Sequence, residues 1–390
     1  MSSPLFNVTD PVYAGGATGD GTTNDYAAIK AALDAAQASN GCLYFPAGVY
    51  KINTALSFTA PNNPSSKKIS LKGDGPNVSV IKSGPGIDAI NFAFAQSGVT
   101  QPWGVVIMDL GFQTSGAAGT AIKVSYGSPS ITNDHFEPSV VLRNIEIRSD
   151  DTNYFANGVD ITSAWNVCMT DCYISGSSYG GSWNSLSGNG IALHRLCANS
   201  HFVNCHCNFW SNGFYYDTGS SSTDPSTEGL FFTNCSMVAV KKGCFITGNP
   251  NNTNAPRVSG LTWVGGLIEL RILGVTGGSA PFHLVNVWDI MISSVYMITE
   301  SETSPPTTYA FFLDNCRNVA VVGCNIQAFD NGLLTNGTCE VIVISACTFV
   351  NCPAQVYFNA GTTKSRSFGN VGNNTPNEVD ANGTNKIGWV

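Results

Sequence analysis

Short segments in which apolar and polar residues alternate recur at a nearly constant interval along most of this chain. Alternation with a period of two is typical of a β-strand with one buried face. The fourth residues of successive segments are separated by 35, 27, 33, 30, 31, 29, 29 and 23 positions. The nine segments are 106–112, 141–147, 168–174, 201–207, 231–237, 262–268, 291–297, 320–326 and 343–349.

A second apolar segment, usually preceded by glycine, lies between consecutive members of this series, as at 213–218 and 243–248. No helical pattern intervenes, which argues against units in which helices connect parallel strands. Short strands at a period of 23–35 residues predict a solenoid in which each coil stacks on the previous one. An antiparallel sandwich or barrel would not repeat one strand motif so regularly. The predicted fold class is therefore all-β, a parallel β-helix.

The repeat also accounts for many of the cysteines. The chain has 13 cysteines, and five follow the fourth residue of a repeat segment: Cys172, Cys205, Cys235, Cys324 and Cys347. A buried free cysteine behaves as a small apolar residue, and zinc sites want paired cysteines at short spacing. We therefore predict an internal column of free cysteines rather than disulfides or a metal site. The alternation also predicts that His206 points outward between two inward cysteines.

Before the regular repeat, residues 14–52 predict a loop, one short helix and two strands. Thr23 or Asn24 is predicted to cap the helix, Asp25–Ala38, and the Asn-Gly pair at 40–41 to end it. One narrow face of the helix is apolar and is expected to be buried. A single small helix ahead of an all-β chain predicts a cap over the open end of the core. The residues of the apolar face are Ala28, Ile29, Ala32, Leu33 and Ala36.

The same stretch resembles the opening of the pectate-lyase-like superfamily of right-handed parallel β-helices. The motifs that carry the resemblance are GATGDGTTNDYAAIKAALDAA at 16–36 and LYFPAGVYKI at 43–52. Bacteriophage tailspikes that depolymerise capsules, and bacterial polysaccharide lyases, are frequent carriers of this signature. The resemblance implies a right-handed, single-stranded β-helix that faces a glycan. It does not choose an activity, because the superfamily includes lyases, hydrolases, epimerases and binders.

Three regions are predicted along the chain. These are an N-terminal cap with the first strands at 1–60, the parallel β-helix at 61–358 and a C-terminal tail at 359–390, where the repeat fades. Polar insertions between coils are expected to gather on one or two faces and to wall a binding groove. They are Ala60–Lys68, Tyr126–Pro138, Ser175–Gly188, Gly219–Glu228, Asn249–Arg257 and Ser301–Thr308.

The charge of the chain narrows its partners. A net charge of −8 argues against nucleic acid, whose phosphates need basic patches, and mildly disfavours a densely anionic polysaccharide. No apolar run is long enough to span a bilayer, and the N-terminus shows no signal-peptide pattern. No cofactor or metal is predicted. The resemblance implies a phage virion tail or an extracellular location.

The carboxylates of two consecutive coils give the preferred catalytic hypothesis. Glu269 is predicted to point outward, and Glu300 and Glu302 follow 31 and 33 residues later, just past the equivalent strand. Because coils stack at ~4.8 Å, Glu269 and one of these partners are expected to lie ~5–9 Å apart, which suits retaining or inverting glycoside hydrolysis. The alternative is that these are solvated charges that keep the solenoid soluble.

Side chains near these carboxylates are predicted to bind the substrate. Trp263, Trp288 and Tyr296 are candidate platforms for sugar rings. Arg271 is a candidate contact to a hydroxyl or carboxylate, and Asp217 borders a preceding loop.

A second constellation would suit a lyase or an epimerase. Glu146, Tyr173 and His206 occupy the same outward position of three successive repeats, with Arg148 beside Glu146. A tyrosine or histidine base and an arginine that neutralises a uronate carboxylate are the groups that β-elimination needs. The alternative is an exposed column of mixed polar residues.

The sequence thus predicts recognition and depolymerisation of a bacterial surface polysaccharide. Glycoside hydrolysis is preferred over elimination because positive charge is scarce, and a non-catalytic carbohydrate-binding spike is the third hypothesis. The apolar run Phe209–Tyr216 is expected to form an exposed flank. Together with the resemblance, this flank predicts a homotrimer.

Overall fold

The computed structural model describes residues 4–60, 68–94, 104–127, 140–177, 186–219, 227–249, 258–272, 279–301, 307–373, 378–381 and 386–388. The interior of each of the six predicted insertions lies outside these ranges. The chain divides into two compact units, Met1–Ser178 with Gly190–Leu193, and Tyr179–Asn189 with His194–Val390. Each unit consists of stacked parallel strands, and the predicted right-handed parallel β-helix is confirmed.

The first unit contains three stacks of parallel strands. β1, β3, β6, β9, β11 and β13 form the first stack, and β2, β4, β7, β9, β11 and β14 the second; β5, β8, β10 and β12 form the third. The strands are β1 (Leu5–Asn7), β2 (Asp20–Asn24), β3 (Cys42–Phe45), β4 (Gly48–Ile52), β5 (Leu56–Ala60), β6 (Lys68–Gly73), β7 (Ser79–Ser83), β8 (Ile90–Phe94), β9 (Gly104–Thr114), β10 (Thr120–Tyr126), β11 (Val140–Ile147), β12 (Asn157–Thr162), β13 (Val167–Thr170), β14 (Tyr173–Ser175) and β15 (Asn189–His194), of which Gly190–Leu193 belong here.

The helix α1 (Tyr26–Ala38) packs against β1, β3 and β6. Its buried residues include all five members of the predicted apolar face, so this prediction is confirmed. Asn40 adopts a left-handed conformation with φ of 51°, and the Gly41 amide donates to the Ala36 carbonyl at 2.7 Å. This ends the helix as the Asn-Gly pair predicted.

The N-terminal cap of α1 differs from the prediction. Asp25 itself occupies the cap position and makes no side-chain capping bond, while Thr23 and Asn24 belong to β2. The Asp25 carboxylate instead accepts hydrogen bonds from the amide and hydroxyl of Thr18, at 2.7 and 2.9 Å, and from the Gly19 amide at 3.1 Å. Asp25 is therefore a buried anchor of the glycine-rich loop.

The second unit repeats the three-stack arrangement. β16, β19, β22, β25, β28, β31, β34 and β37 form the first stack, β17, β20, β23, β26, β29, β32 and β35 the second, and β18, β21, β24, β27, β30, β33 and β36 the third. The strands are β16 (Ser200–Val203), β17 (His206–Asn208), β18 (Asn212–Asp217), β19 (Thr227–Thr233), β20 (Ser236–Val240), β21 (Lys242–Thr247), β22 (Val258–Val264), β23 (Leu267–Ile272), β24 (Phe282–Val285), β25 (Val287–Ser293), β26 (Tyr296–Ser301), β27 (Tyr309–Asp314), β28 (Arg317–Val322), β29 (Asn325–Gln327), β30 (Asn331–Asn336), β31 (Glu340–Ser345), β32 (Thr348–Val350), β33 (Ala354–Phe358), β34 (Arg366–Phe368), β35 (Val371–Gly372), β36 (Glu378–Asp380) and β37 (Lys386–Gly388).

In the nine coils of the repeat, a left-handed residue lies at the corner between the first and second stacks. These residues all have positive φ and are the fourth residues of the nine repeat segments: Asp109, Asn144, Asp171, Asn204, Asn234, Gly265, Ser294, Gly323 and Ala346. The side-chain amide of Asn234 donates to Asn204 Oδ1 of the preceding coil at 3.0 Å. Asparagine, aspartate and glycine tolerate this conformation best, which explains why polar residues interrupt the apolar segments there.

Aromatic side chains and cysteines fill the interior of the second unit. Phe202, Phe232 and Trp263 stack on successive coils, with ring centroids 4.6 and 4.3 Å apart. All 13 cysteines are free, and the five of the predicted column are buried. Their thiols satisfy carbonyl groups; Cys235 Sγ, for example, donates to the Phe202 carbonyl at 3.4 Å. The prediction that these five cysteines are free and internal is confirmed, for Cys172 in the first unit and for the other four in the second.

Two further expectations concern the second unit. Within Phe209–Tyr216, the side chains of Trp210, Phe214 and Tyr216 are buried, so the prediction of an exposed apolar flank was wrong, because alternation turns these rings inward. Strand pairing continues beyond 358, since β34 pairs with β31 and β36 with β33. The boundary of a separate tail stays a prediction.

Candidate functional site

The predicted carboxylates lie on the outer face of the second stack in the second unit. Along β23 the alternation turns Ile268 and Leu270 inward, so that Glu269 and Arg271 point outward. The register places Arg271 opposite Glu300 of β26 and Glu269 opposite Ile298. Glu302 lies outside the described residues.

Arg271 connects the two glutamates. Its Nε donates to Glu269 Oε1 at 3.0 Å, and its Nη2 lies 3.0 Å from Glu300 Oε2. The Glu269 side chain is 17% exposed and that of Glu300 56%, so one carboxylate is sheltered and the other open to solvent. The spacing along the sequence predicted neighbouring carboxylates but not the Arg271 guanidinium between them. Arg271 lies there because the register pairs it with Glu300, while Glu269 is two residues earlier on the same strand.

The three predicted aromatic platforms occupy different environments. Trp263 is fully buried between Phe232 and Phe282, so it cannot contact a sugar, and this prediction was wrong. Tyr296 is 37% exposed, and its hydroxyl donates to Gln327 Oε1 of the next coil at 2.8 Å. Trp288 belongs to the first stack, and the Arg317 guanidinium lies 4.7 Å above its ring.

The second constellation divides between the two units. In the first unit Glu146 pairs with Tyr173 on consecutive coils, as predicted. The Arg148 guanidinium contacts both the Glu146 carboxylate and the Asn77 side-chain oxygen. Tyr173 is 40% exposed, so a tyrosine hydroxyl and a held guanidinium both belong to this surface.

His206 belongs to the second unit. It is half-buried, pairs with Ser236 of the next coil and points outward between two buried cysteines, as predicted. Burial lowers the pKa of its imidazole. A lowered pKa favours the neutral ring, which is the form that a general base requires.

Sequence reasoning missed a column of aromatic side chains on the outer face of the third stack. The rings of His194, Tyr215, Phe245, His283 and Phe312 follow one another on successive strands, with centroid separations of 5.8, 5.5, 4.7 and 4.8 Å. Leu334 and Tyr357 extend this aromatic column by two further coils. All seven side chains are half-buried. The signal was present, because the third residue of the segments that begin at 213, 243 and 310 is aromatic.

Polar side chains border the aromatic column. Asp217 and Thr247 pair on one side of it, as do Asp314 and Asn336, which places the predicted binding residue Asp217 beside the aromatic rings. Lys242 lies on the other side, with Nζ 3.7 Å from the centroid of the Phe245 ring.

His283 is the most perturbed member of the column. Burial and the neighbouring Lys242 charge lower the pKa of its imidazole to about 4. The ring is therefore neutral near pH 7. Its Nδ1 atom is buried and has no hydrogen-bond partner, so a donor that reached this atom would relieve an unfavourable desolvation.

Among the described residues, no group of three or more histidine, cysteine, aspartate or glutamate side chains has the geometry to hold a metal ion. The described part of the chain also contains no helix that could cross a membrane.

The chain matches one family model over more than half of its length. The model, described as Rhamnogalacturonase A/epimerase, pectate lyase-like, matches residues 5–236. This range contains the motifs at 16–36 and 43–52, so the resemblance drawn from them is confirmed. A search of curated proteins finds no match.

Solved structures with similar folds have low sequence identity to this chain. The N-terminal fragment of gene product 12 of bacteriophage phi29 aligns with a TM-score of 0.55 at 15% identity, over 98% of this chain and 71% of that chain. The catalytic unit of a GH87 α-1,3-glucanase from Streptomyces thermodiastaticus aligns with 0.54 at 15%, over 99% and 70%. The A-module of the mannuronan C-5 epimerase AlgE4 from Azotobacter vinelandii aligns with 0.51 at 16%, over 99% and 100%. This chain spans between 70% and 100% of these three solved chains and 60% of another that it matches, ORF18 of Geobacillus virus E2, and these similarities establish the fold alone.

Proposed function

Because the chain belongs to the rhamnogalacturonase A/epimerase, pectate lyase-like family, we propose that it binds a bacterial surface polysaccharide and depolymerises it by glycoside hydrolysis. We infer recognition of the polysaccharide from the aromatic column on the outer face of the second unit. Hydrolysis rests on the carboxylates of Glu269 and Glu300. The α-1,3-glucanase with a similar fold is an example of glycoside hydrolysis on this kind of scaffold.

The aromatic column suits the two-sided chemistry of a sugar. Pyranose rings present apolar C–H faces and a rim of hydroxyl groups. The rings of Tyr215, Phe245 and Phe312 supply apolar contact, and Asp217 and Lys242 at the borders supply hydrogen-bond partners for hydroxyls. Consecutive rows of a parallel sheet are ~4.8 Å apart, which is close to the advance of one sugar along an extended glycan.

The carboxylate pair supplies the two groups that hydrolysis needs. One carboxyl protonates the leaving oxygen, while the other activates water or attacks the anomeric carbon. In the free protein both contact Arg271, so a bound sugar hydroxyl would replace one of these contacts. Glu302 remains a candidate partner in place of Glu300.

Product analysis on a panel of capsular and uronic-acid polysaccharides tests the reaction class. Hydrolysis predicts new reducing ends without the ultraviolet absorbance of an unsaturated uronate. That absorbance would mean elimination, and a change of uronate configuration without cleavage would mean epimerisation. Glycan binding with none of these products would leave a non-catalytic spike.

The Glu269→Gln variant tests the proposed site. We expect the rate of reducing-end release to fall by about 10²–10⁴-fold, which is the range for loss of a general acid or base, while glycan binding persists. Glu340→Gln is the matched control, because Glu340 is also an outward glutamate in an ion pair, with Lys364, and should retain full activity. A fully active Glu269→Gln protein would rule out this site.

A lyase or epimerase at Tyr173 is the alternative. This alternative is favoured because Glu146 pairs with Tyr173 on the next coil. The Arg148 guanidinium lies beside them and contacts the side chains of Glu146 and Asn77. In this mechanism Tyr173 removes the proton α to the uronate carboxylate, and Arg148 neutralises that carboxylate. Tyr173→Phe would then abolish product while Glu269→Gln stays active; the reverse result would exclude it.

The resemblance to phage proteins extends the proposal to location and assembly. We propose a virion-tail or extracellular protein that assembles as a homotrimer. The phage phi29 fragment that shares the fold is compatible with the first part. Sedimentation analysis of the purified chain measures the second.

A further inference from the structure

Lys242 is a half-buried lysine at the border of the aromatic column. It is the first residue of β21, and its Nζ lies 3.7 Å from the centroid of the Phe245 ring. No carboxylate among the described residues forms an ion pair with it. A cation–π contact with an apolar ring therefore holds this amine, where an acidic partner would hold a typical surface lysine.

Two other lysines show the contrast. Lys30 pairs with Asp34 on α1, and Lys364 pairs with Glu340 of β31. In both pairs the carboxylate stabilises the charged ammonium form. Burial has the opposite effect at Lys242 and lowers the pKa of its amine. Lys242 therefore presents more of the neutral amine, which is the nucleophilic form of lysine.

The next ring of the column adds a second basic group. The His283 imidazole follows Phe245 with a centroid separation of 4.7 Å, and the charge of Lys242 contributes to its lowered pKa. A neutral imidazole has one nitrogen that accepts a proton. An amine, an apolar ring and a proton acceptor thus lie together on the surface where we propose that sugars bind.

We propose that Lys242 forms a covalent imine with the reducing end of a glycan chain that occupies the aromatic column. The inference rests on the proposed binding of glycans to this column, but it requires no hydrolysis. A sugar that packs on Phe245 must lie against Nζ or displace it, so its carbon atoms come within reach of the amine. Only the terminal sugar has an open-chain aldehyde, so the inner sugars of the chain do not react.

The reaction is a condensation that needs neither an oxidant nor a reductant. The lone pair of Lys242 Nζ attacks the aldehyde carbon and forms a C–N bond, while the carbonyl oxygen takes up a proton. The carbinolamine then loses its hydroxyl group as water, the nitrogen gives up a proton, and a C=N bond forms. His283 is the neighbouring base that accepts the proton from nitrogen. One water molecule is released for each chain captured.

Trapping of the imine with cyanoborohydride tests the proposal. The full-length protein is incubated with reducing oligosaccharides prepared by partial acid hydrolysis of the polysaccharide panel, and peptide mass spectrometry quantifies the sugar on each lysine. We expect labelling of Lys242 to exceed that of Lys30 and Lys364 by at least about tenfold, because the column holds the aldehyde beside the amine. The same oligosaccharides reduced with borohydride have no aldehyde, so they should form no adduct and should compete for the site.

Lys242→Arg removes the nucleophile but keeps a positive charge beside Phe245, so the adduct should disappear from this peptide. Lys364→Arg is the matched control and should leave the labelling of Lys242 unchanged; circular dichroism verifies that both variants are folded. Equal labelling of Lys30, Lys242 and Lys364, or preferential labelling of another lysine, would overturn the proposal.

Reducing-end release by the untreated protein reports the proposed hydrolysis separately. A hydrolytic protein without an adduct on Lys242 would overturn only the imine. An inactive protein that carries the adduct would support the imine and would overturn only the proposed hydrolysis.

Discussion

At the scale of single residues, Asp25 shows how a correct motif can conceal the role of its members. The position after Thr23 and Asn24 fits a helix start, and the helix does begin there. The Asp25 carboxylate, however, is 3% exposed and turns back to three donors on Thr18 and Gly19. A loop closed by one carboxylate is a tertiary contact, and helix-cap preferences carry no information about it.

Removal of the Asp25 carboxylate should destabilise the N-terminal cap. Asp25→Ala leaves two amides and a hydroxyl without their acceptor, and hydrogen bonds to a charged group contribute about 1.5–3 kcal/mol. We expect the free energy of unfolding, measured by urea titration, to fall by about 2–3 kcal/mol. Asp34→Ala is the control, since Asp34 pairs with Lys30 on the exposed helix surface and should cost less than about 0.5 kcal/mol. Equal losses would contradict the anchoring role.

His283 should make the stability of the protein depend on pH on the acid side. The imidazole has a pKa of about 4 in the folded chain and about 6.5 when unfolded. The unfolded state therefore binds the proton first as pH falls, so the stability is complete above pH 6.5 and declines between about 6.5 and 4. The loss should reach about 2–3 kcal/mol.

His283→Phe isolates this contribution, because Phe245 and Phe312 already occupy the column on either side. Between pH 7 and pH 4, the free energy of unfolding should fall by less in the variant than in the wild type. The two decreases should differ by about 2–3 kcal/mol. His201→Phe, at an exposed histidine, should retain the wild-type difference. A variant with the wild-type pH dependence would show that His283 does not titrate in this way.

At the scale of elements, the corner residue decides where each strand ends. The sequence predicts each repeat segment as a continuous apolar run, yet in most coils the structure divides it into two short strands at the fourth residue.

The glycines that precede the strands of the third stack have a different role. A Cβ at Gly213 would lie 2.6 Å from Met237 Sδ, and one at Gly332 would lie 2.3 Å from the Phe349 ring. The glycines that precede these strands therefore make room for side chains of the core.

A glycine at the corner occupied by alanine should stabilise the coil. Ala346 is exposed with φ of 53°, a conformation that costs a non-glycine residue about 1–2 kcal/mol. Ala346→Gly should raise the free energy of unfolding by about 0.5–1 kcal/mol after the entropic cost of glycine. Ala320→Gly, within the extended strand β28, should lower it by about 0.5–1 kcal/mol. The same sign for both changes would contradict the corner assignment.

At the scale of the whole molecule, the sequence predicted the fold better than the site. Period and alternation specify which residues point inward, so the coils, the cap helix and the cysteine column followed directly. The prediction that Trp263 is a sugar platform was wrong because it rested on residue type, whereas alternation along the strand turns this side chain inward. Arg271 was assigned to the substrate rather than to its neighbours, because the register between coils depends on the length of the connection. The aromatic column was not predicted, because its members are about 30 residues apart in the sequence and become neighbours only when the coils stack.

The cysteines provide a prediction for the intact chain. All 13 are free and only Cys42 and Cys168 are partly exposed, and burial raises the pKa of the Cys42 thiol. A colorimetric thiol reagent should therefore modify no more than these two in the native protein and all 13 after denaturation without reductant. Fewer than 13 in denaturant would reveal disulfides, and rapid native modification of more than two would contradict the buried column.

The left-handed corner has a consequence for how such a chain can diversify. At most of the repeat corners one left-handed residue makes the bend, so an inserted residue there would reverse the facing of the strand that follows and expel its core side chains. Steps between corners nevertheless range from 23 to 35 residues. Natural length variation must therefore enter at the other connections of each coil, where loops can be exchanged while the register of the bend is kept. Grafting a foreign recognition loop should succeed at those connections and fail at the corner.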